Sequence, residues 1–222
     1  AVTYRLQVGT AAGASDVSDV SGIGPSQSQV TLPGDGTYFA RVRAADAGSN
    51  TSPFGPVGQF TVDRVAPTIP GQPAPGQELT NNEDVTFTWT PSADANFSTH
   101  DVQIGTAPGA SNVFNGTAAG GSIARTLATD DVYYIRVRGR DLAGNVSAWS
   151  PNGTVEVDTT SATRPGAPLA SQDPIAETDV LLTWTPSSDA NLETYELRVG
   201  TSPGGTNVFD GSVGAGASAT VT

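Results

Sequence analysis

Apolar and polar residues alternate with a period of two in short runs along this chain. Val85, Phe87 and Trp89 alternate with Thr86, Thr88 and Thr90; Val102 and Ile104 alternate with Asp101 and Gln103. Tyr133, Ile135 and Val137 alternate with Tyr134, Arg136 and Arg138, and Val155 and Val157 flank Glu156. A period of two sends successive side chains to opposite faces of a strand. Each run therefore predicts a strand with one apolar and one polar face, as in antiparallel sheets packed face to face. Clusters of Gly, Pro, Asn, Asp and Ser at 91–96, 105–112, 118–122, 128–131 and 141–147 separate the runs and predict turns. No stretch sustains a helical period. The expected fold is all-β, with Phe87, Trp89, Val102, Ile104, Tyr133, Ile135 and Val137 as core.

The runs recur. FTWTPSADAN at Phe87–Asn96 returns as LTWTPSSDAN at Leu182–Asn191, 95 residues later. IGTAPGASNVFNGT at Ile104–Thr117 returns as VGTSPGGTNVFDGS at Val199–Ser212, with a weaker copy, VGTAAGASDV, at Val8–Val17. YFARVRAAD at Tyr38–Asp46 returns as YYIRVRGRD at Tyr133–Asp141. A period near 95 residues is too long for a solenoid unit and suits a domain that folds by itself.

Within that frame Trp89 lies on the second strand, and Leu127 precedes Tyr133 by six residues, a spacing that Leu32 and Tyr38 repeat. DLAGNVSAWS at Asp141–Ser150 and FTVDRVAPTIPG at Phe60–Gly71 supply a turn before a last strand and a proline-bearing linker. Together these features resemble bacterial fibronectin type III repeats, immunoglobulin-like sandwiches of seven antiparallel strands. The resemblance places Trp89 on strand B as the core tryptophan. It makes Tyr133 a tyrosine corner, a strand-F tyrosine whose hydroxyl ties the E–F loop. It also sets the phase. Residues 1–63 form a partial copy running from strand C to G, 64–158 a complete copy, and 159–222 a partial copy running from A to E. Val42 and Trp184 are then expected to lack part of their cover. A continuous array is expected over an exchange of strands between identical chains.

Composition adds limits. The chain has 26 Gly and 16 Pro in 222 residues, with no Cys and no Met. No disulfide can staple it and no thiolate can bind metal or attack a substrate. All ten basic residues are Arg, against 22 acidic ones, for a net charge of −12. That sign argues against nucleic acid and anionic membranes as partners, and no run of apolar residues is long enough for a membrane helix.

Candidate chemistry is sparse. The sole histidine, His100, has no nucleophile beside it and is expected at the surface; no nucleophile elbow, phosphate loop or dinucleotide fingerprint is present. No catalytic residue and no enzymatic activity are expected. The resemblance brings the B–C and F–G loops to one pole, so that Asp94 and Asn96 meet Asp141 and Asn145 beside the linker residue Asp63. Oxygen ligands of this kind suit Ca²⁺; no other cofactor is expected. Glycosylation sequons stand at Asn50, Asn96, Asn115, Asn145 and Asn152. Phe97, Tyr134 and Trp149 are the candidates for exposed aromatics that would meet a sugar, with Trp149 expected mainly to cover the end of the sandwich. The resemblance implies a structural array in a secreted or cell-surface protein: a stalk, spacer, filament body or adhesin whose neighbours are further copies of the repeat. The alternatives are a spacer in a carbohydrate-active enzyme and a module that binds a sugar or protein.

Overall fold

The computed structural model describes residues 2–24, 28–173 and 175–222. They form two compact units, 1–157 and 158–222. The first opens with β1 (Thr3–Gly9), β2 (Ser18–Ile23), β3 (Gly36–Ala45) and β4 (Gly58–Val62), in one sheet of order β2-β1-β3-β4. Val8 and Tyr38 are its buried apolar residues, while Val42 is 45 % exposed and Phe60 41 %.

The middle repeat follows with β5 (Ala74–Pro75), β6 (Leu79–Thr80), β7 (Asp84–Thr88), β8 (Phe97–Gly105), β9 (Phe114–Ala118), β10 (Ser122–Thr126), β11 (Asp131–Asp141) and β12 (Gly153–Val157). One sheet has the order β10-β7-β5 and the other β6-β12-β11-β8-β9. The first strand of the resemblance is thus split between the sheets: β5 pairs antiparallel with β7, and β6 pairs parallel with β12. Pro75 and Gly76 lie at the break, where a residue without an N–H and one without a side chain end regular pairing.

The alternation read from sequence is the alternation of burial. Phe87, Val102, Ile104, Ile135 and Val137 are fully covered, Tyr133 and Trp89 nearly so, and Val85, Ile123, Leu127, Val155 and Val157 complete the same core. Trp89 follows β7 directly, its N–H bonded to the Gly121 carbonyl at 2.8 Å. Tyr133 Oη donates to the Thr129 carbonyl at 2.8 Å, and Tyr38 Oη to that of Gly34 at the same distance. Both tyrosines therefore close the corner that the resemblance implied.

The second unit contains β13 (Leu169–Ala170), β14 (Val180–Thr183), β15 (Thr194–Val199), β16 (Phe209–Gly214) and β17 (Ser218–Val221), in sheets β13-β14-β17 and β15-β16. Tyr195, Leu197 and Val221 are buried, and Trp184 is half-buried, edge-on to Tyr195 at 5.3 Å. One loop is built alike in all three copies. The backbone N–H groups of Thr10, Thr106 and Thr201 each donate to a side-chain oxygen six residues on, in Asp16, Asn112 and Asn207. Gly13, Gly109 and Gly204 take φ near +80° between them, a conformation that costs glycine no steric strain.

Candidate functional site

The linker after β4 meets the B–C loop, between β7 and β8, and the turn after β11. There the structure brings together all five residues singled out as oxygen ligands. One carboxylate oxygen each of Asp63, Asp94 and Asp141 lie within 4.8 Å of one another. Asp141 is buried; Asp63 and Asp94 are half-buried.

Three carboxylates this close repel, and burial of Asp141 removes water that would screen it. The structure answers with N–H donors. Asn145 donates its backbone N–H to Asp141 Oδ1 at 2.8 Å and its side-chain Nδ2 to Asp141 Oδ2 at 2.7 Å. The same Nδ2 reaches the backbone carbonyl of Asp63 at 3.0 Å. Asn96 donates Nδ2 to Asp63 Oδ2 at 2.7 Å and its backbone N–H to Asp94 Oδ1 at 2.7 Å. Val65 N–H donates to Asp63 Oδ1 at 3.1 Å, and Leu142 N–H to the Asn96 carbonyl at 2.9 Å. Burial pushes the Asp141 carboxyl up, but the Asn145 donors and the Gly144 and Ala143 backbone outweigh it and hold the group below the ordinary carboxylate range.

Chemically, the cluster is a clasp on the linker. Asn96 and Asn145 turn amide N–H groups toward the acids, so in this arrangement they act as donors. The carboxylates are the hard oxygens that Ca²⁺ takes, but Asn96 and Asn145 would serve it only with their amides rotated to present oxygen. Farther along, Thr68 N–H donates to the Ala93 carbonyl, Ala93 N–H to Thr68 Oγ1, and Gly71 N–H to the Thr90 carbonyl.

The pattern recurs at the 95-residue offset inside the second unit. Asn191 Nδ2 donates to Asp158 Oδ2 at 2.8 Å and Asn191 N–H to Asp189 Oδ1 at 2.8 Å. Ser188 N–H donates to Thr163 Oγ1 and Gly166 N–H to the Thr185 carbonyl. The turn of the first copy repeats the other half: Asn50 donates to Asp46 through both its backbone and its Nδ2.

The sequons separate by role. Asn96 and Asn145 commit to the clasp the Nδ2 atom that a glycan would take. Asn50 is exposed but bonded to Asp46, Asn115 is exposed on β9, and Asn152 is half-buried. Among the aromatics, Trp149 is half-buried, with the guanidinium groups of Arg136 and Arg138 each 4.6 Å from its ring centre. Phe54 repeats this with Arg41 and Arg43. Tyr134 is half-buried, and Phe97 is half-buried against His100 at 4.8 Å. The surface position expected for His100 is wrong: its side chain is fully buried, because it falls on the same strand face as Val102 and Ile104.

No protein-family profile matches the chain. An alignment 182 residues long, covering 73 % of the chain and 16 % of the other protein, shows 34 % identity to exoglucanase B of Cellulomonas fimi. Among solved structures, the FN1–FN3 domains of chicken CNTN1 align with 99 % of this chain and 77 % of their own, at 16 % identity and a TM-score of 0.33.

Proposed function

We propose that this array of fibronectin type III-like all-β repeats is a non-catalytic spacer within a longer extracellular protein. The observation that carries the reading is the clasp. A linker intended as a free hinge has no use for a residue such as Asn145, which bonds both the Asp63 carbonyl and the buried Asp141. Each such bond contributes about 0.5–1.5 kcal/mol net, more where an acceptor is charged. Proline at 67 and 70 restricts the same segment further. Recurrence of the clasp residues at 95-residue spacing supports a function that is itself repetitive: holding other domains apart at a set distance.

Of the parent proteins expected from sequence, a glycan-processing enzyme is favoured over a surface stalk, filament or adhesin. The support is the likeness to a short stretch of an exoglucanase. Trp149 is the aromatic closest to a sugar platform, but its ring is already stacked by two arginines. Incubation of the 222-residue chain with soluble and insoluble glucans tests the reading. Neither turnover nor retention is expected. Retention abolished by Trp149→Ala would make it a binding module, and turnover abolished by a point substitution would make it an enzyme.

A further inference from the structure

His100 occupies a position that two other copies fill with tyrosine. Its counterpart in the second unit is Tyr195, and in the first copy Tyr4. Tyr195 Oη accepts the backbone N–H of Ser187 at 2.9 Å; His100 Nε2 accepts that of Ser92, the residue 95 positions earlier, at 3.0 Å. Tyr195 lies edge-on to Trp184 at 5.3 Å, and His100 edge-on to Trp89 at 5.6 Å. The imidazole thus performs the phenol's task in the same aromatic setting, with one difference. A phenol oxygen stays neutral and keeps accepting through the acid range; an imidazole nitrogen takes up a proton and becomes a donor.

We propose that His100 makes the middle repeat acid-labile, so that this repeat loosens at mildly acidic pH while copies carrying tyrosine do not respond through this position. The neutral ring must hold its proton on Nδ1, because Nε2 accepts from Ser92. A second proton would set Nε2–H against Ser92 N–H, two donors face to face, and place a charge in the core. The ring is fully buried, and burial lowers its pKa against the smaller opposing effect of the Gly120 and Ala118 backbone.

Among the described residues no charged group acts on the ring; burial and backbone contacts do. On β8, the neighbouring Asp101 is bonded to Arg138 and Arg140. On β11, Gly139 pairs opposite His100 and the carboxylate of Asp141 is taken by Asn145. On β9, Ala118 pairs with it. From the B–C loop, Asp94 is engaged with Asn96. Trp89, Phe97 and the backbone at 92, 118 and 120 also lie against the ring.

An unfolded histidine titrates near pH 6.5. Below that value the unfolded chain binds a proton that the folded repeat does not, so stability falls with pH. The folded-to-unfolded ratio of the middle repeat then drops about tenfold per pH unit until the folded pKa is reached. The test is urea unfolding of the 222-residue chain between pH 7.5 and 5, followed at the amide signals of Ile104 and Val137, for the parent and for His100→Tyr. The account expects a steeper loss of stability in the parent, with the difference between the two proteins growing below pH 6.5. Equal pH profiles would overturn it. If His100→Tyr does not fold, imidazole nitrogen shifts of the parent decide. A ring still neutral at pH 5.5 in the folded chain supports the proposal; a midpoint near 6.5 in the folded state overturns it.

Discussion

The middle repeat and the N-terminal sheet contain nearly the same strands and bury them very differently. β3 and β11 share YxxRVR, pair with their last strands in the same register and close the same tyrosine corner. Yet Val137 is fully buried and its counterpart Val42 is 45 % exposed; Val155 is 1 % exposed and Phe60 41 %. The difference is the opposing sheet. The middle repeat sets Phe87, Trp89 and Ile123 against these positions, and residues 1–63 contain no counterpart of Phe87 or Trp89. Strand and register follow from local alternation and turns; most of the apolar stabilisation comes from the facing layer.

Substitutions should affect the two regions unequally. Trp89→Ala should cost about 3–5 kcal/mol, the usual cost of deleting a buried large aromatic; Trp184→Ala, at a half-buried site, should cost clearly less. Equal losses in chemical denaturation would mean that the second unit packs as tightly as the middle repeat. Val137→Ala should cost about 1.5–3 kcal/mol, the scale of one buried valine. Val42→Ala should stay within about 0.5 kcal/mol, as surface changes do.

At the clasp, Asn145→Ala removes two donors from Asp141 and Asp63 and should cost about 1–3 kcal/mol by leaving a buried carboxylate under-satisfied. The same carboxyl sets a pH trend. Because its folded pKa lies below the usual range, its contribution is present above about pH 4 and is lost as pH falls through the folded value. Asn145→Ala should flatten that acid limb, which thermal melts between pH 5 and 2 would reveal. The smallest effect is expected from calcium. With the acids met by amide and backbone donors, millimolar Ca²⁺ or a chelator should leave the melting temperature unchanged. A calcium-dependent rise would reassign Asp63, Asp94 and Asp141 to a metal.

Much of this was legible in the residues. Alternation marked the core strands, and the Leu127–Tyr133 spacing marked the corner. The resemblance set the B–C and F–G loops at one pole, so Asp94, Asn96, Asp141 and Asn145 could be placed beside Asp63 before the geometry was known. Whether its asparagines offer oxygen or nitrogen could not be read, because an amide carries both. His100 was misplaced by residue type. A lone histidine suggests a surface, although its register with Val102 and Ile104, and its alignment with Tyr195, both point inward. The split of the first strand at Pro75 and the stacking of Trp149 depend on contacts across the fold that no local pattern encodes.

A clasp of this kind predicts a fixed joint between the first two repeats. The absence of cysteine permits spin labels at Thr37→Cys on β3 and Thr86→Cys on β7, both exposed and on either side of the Asp63 clasp. A pulsed dipolar measurement should give one narrow distance distribution, broadened when Asn96 and Asn145 are both changed to Ala. A distribution already broad in the parent, and unaltered by those changes, would contradict the account.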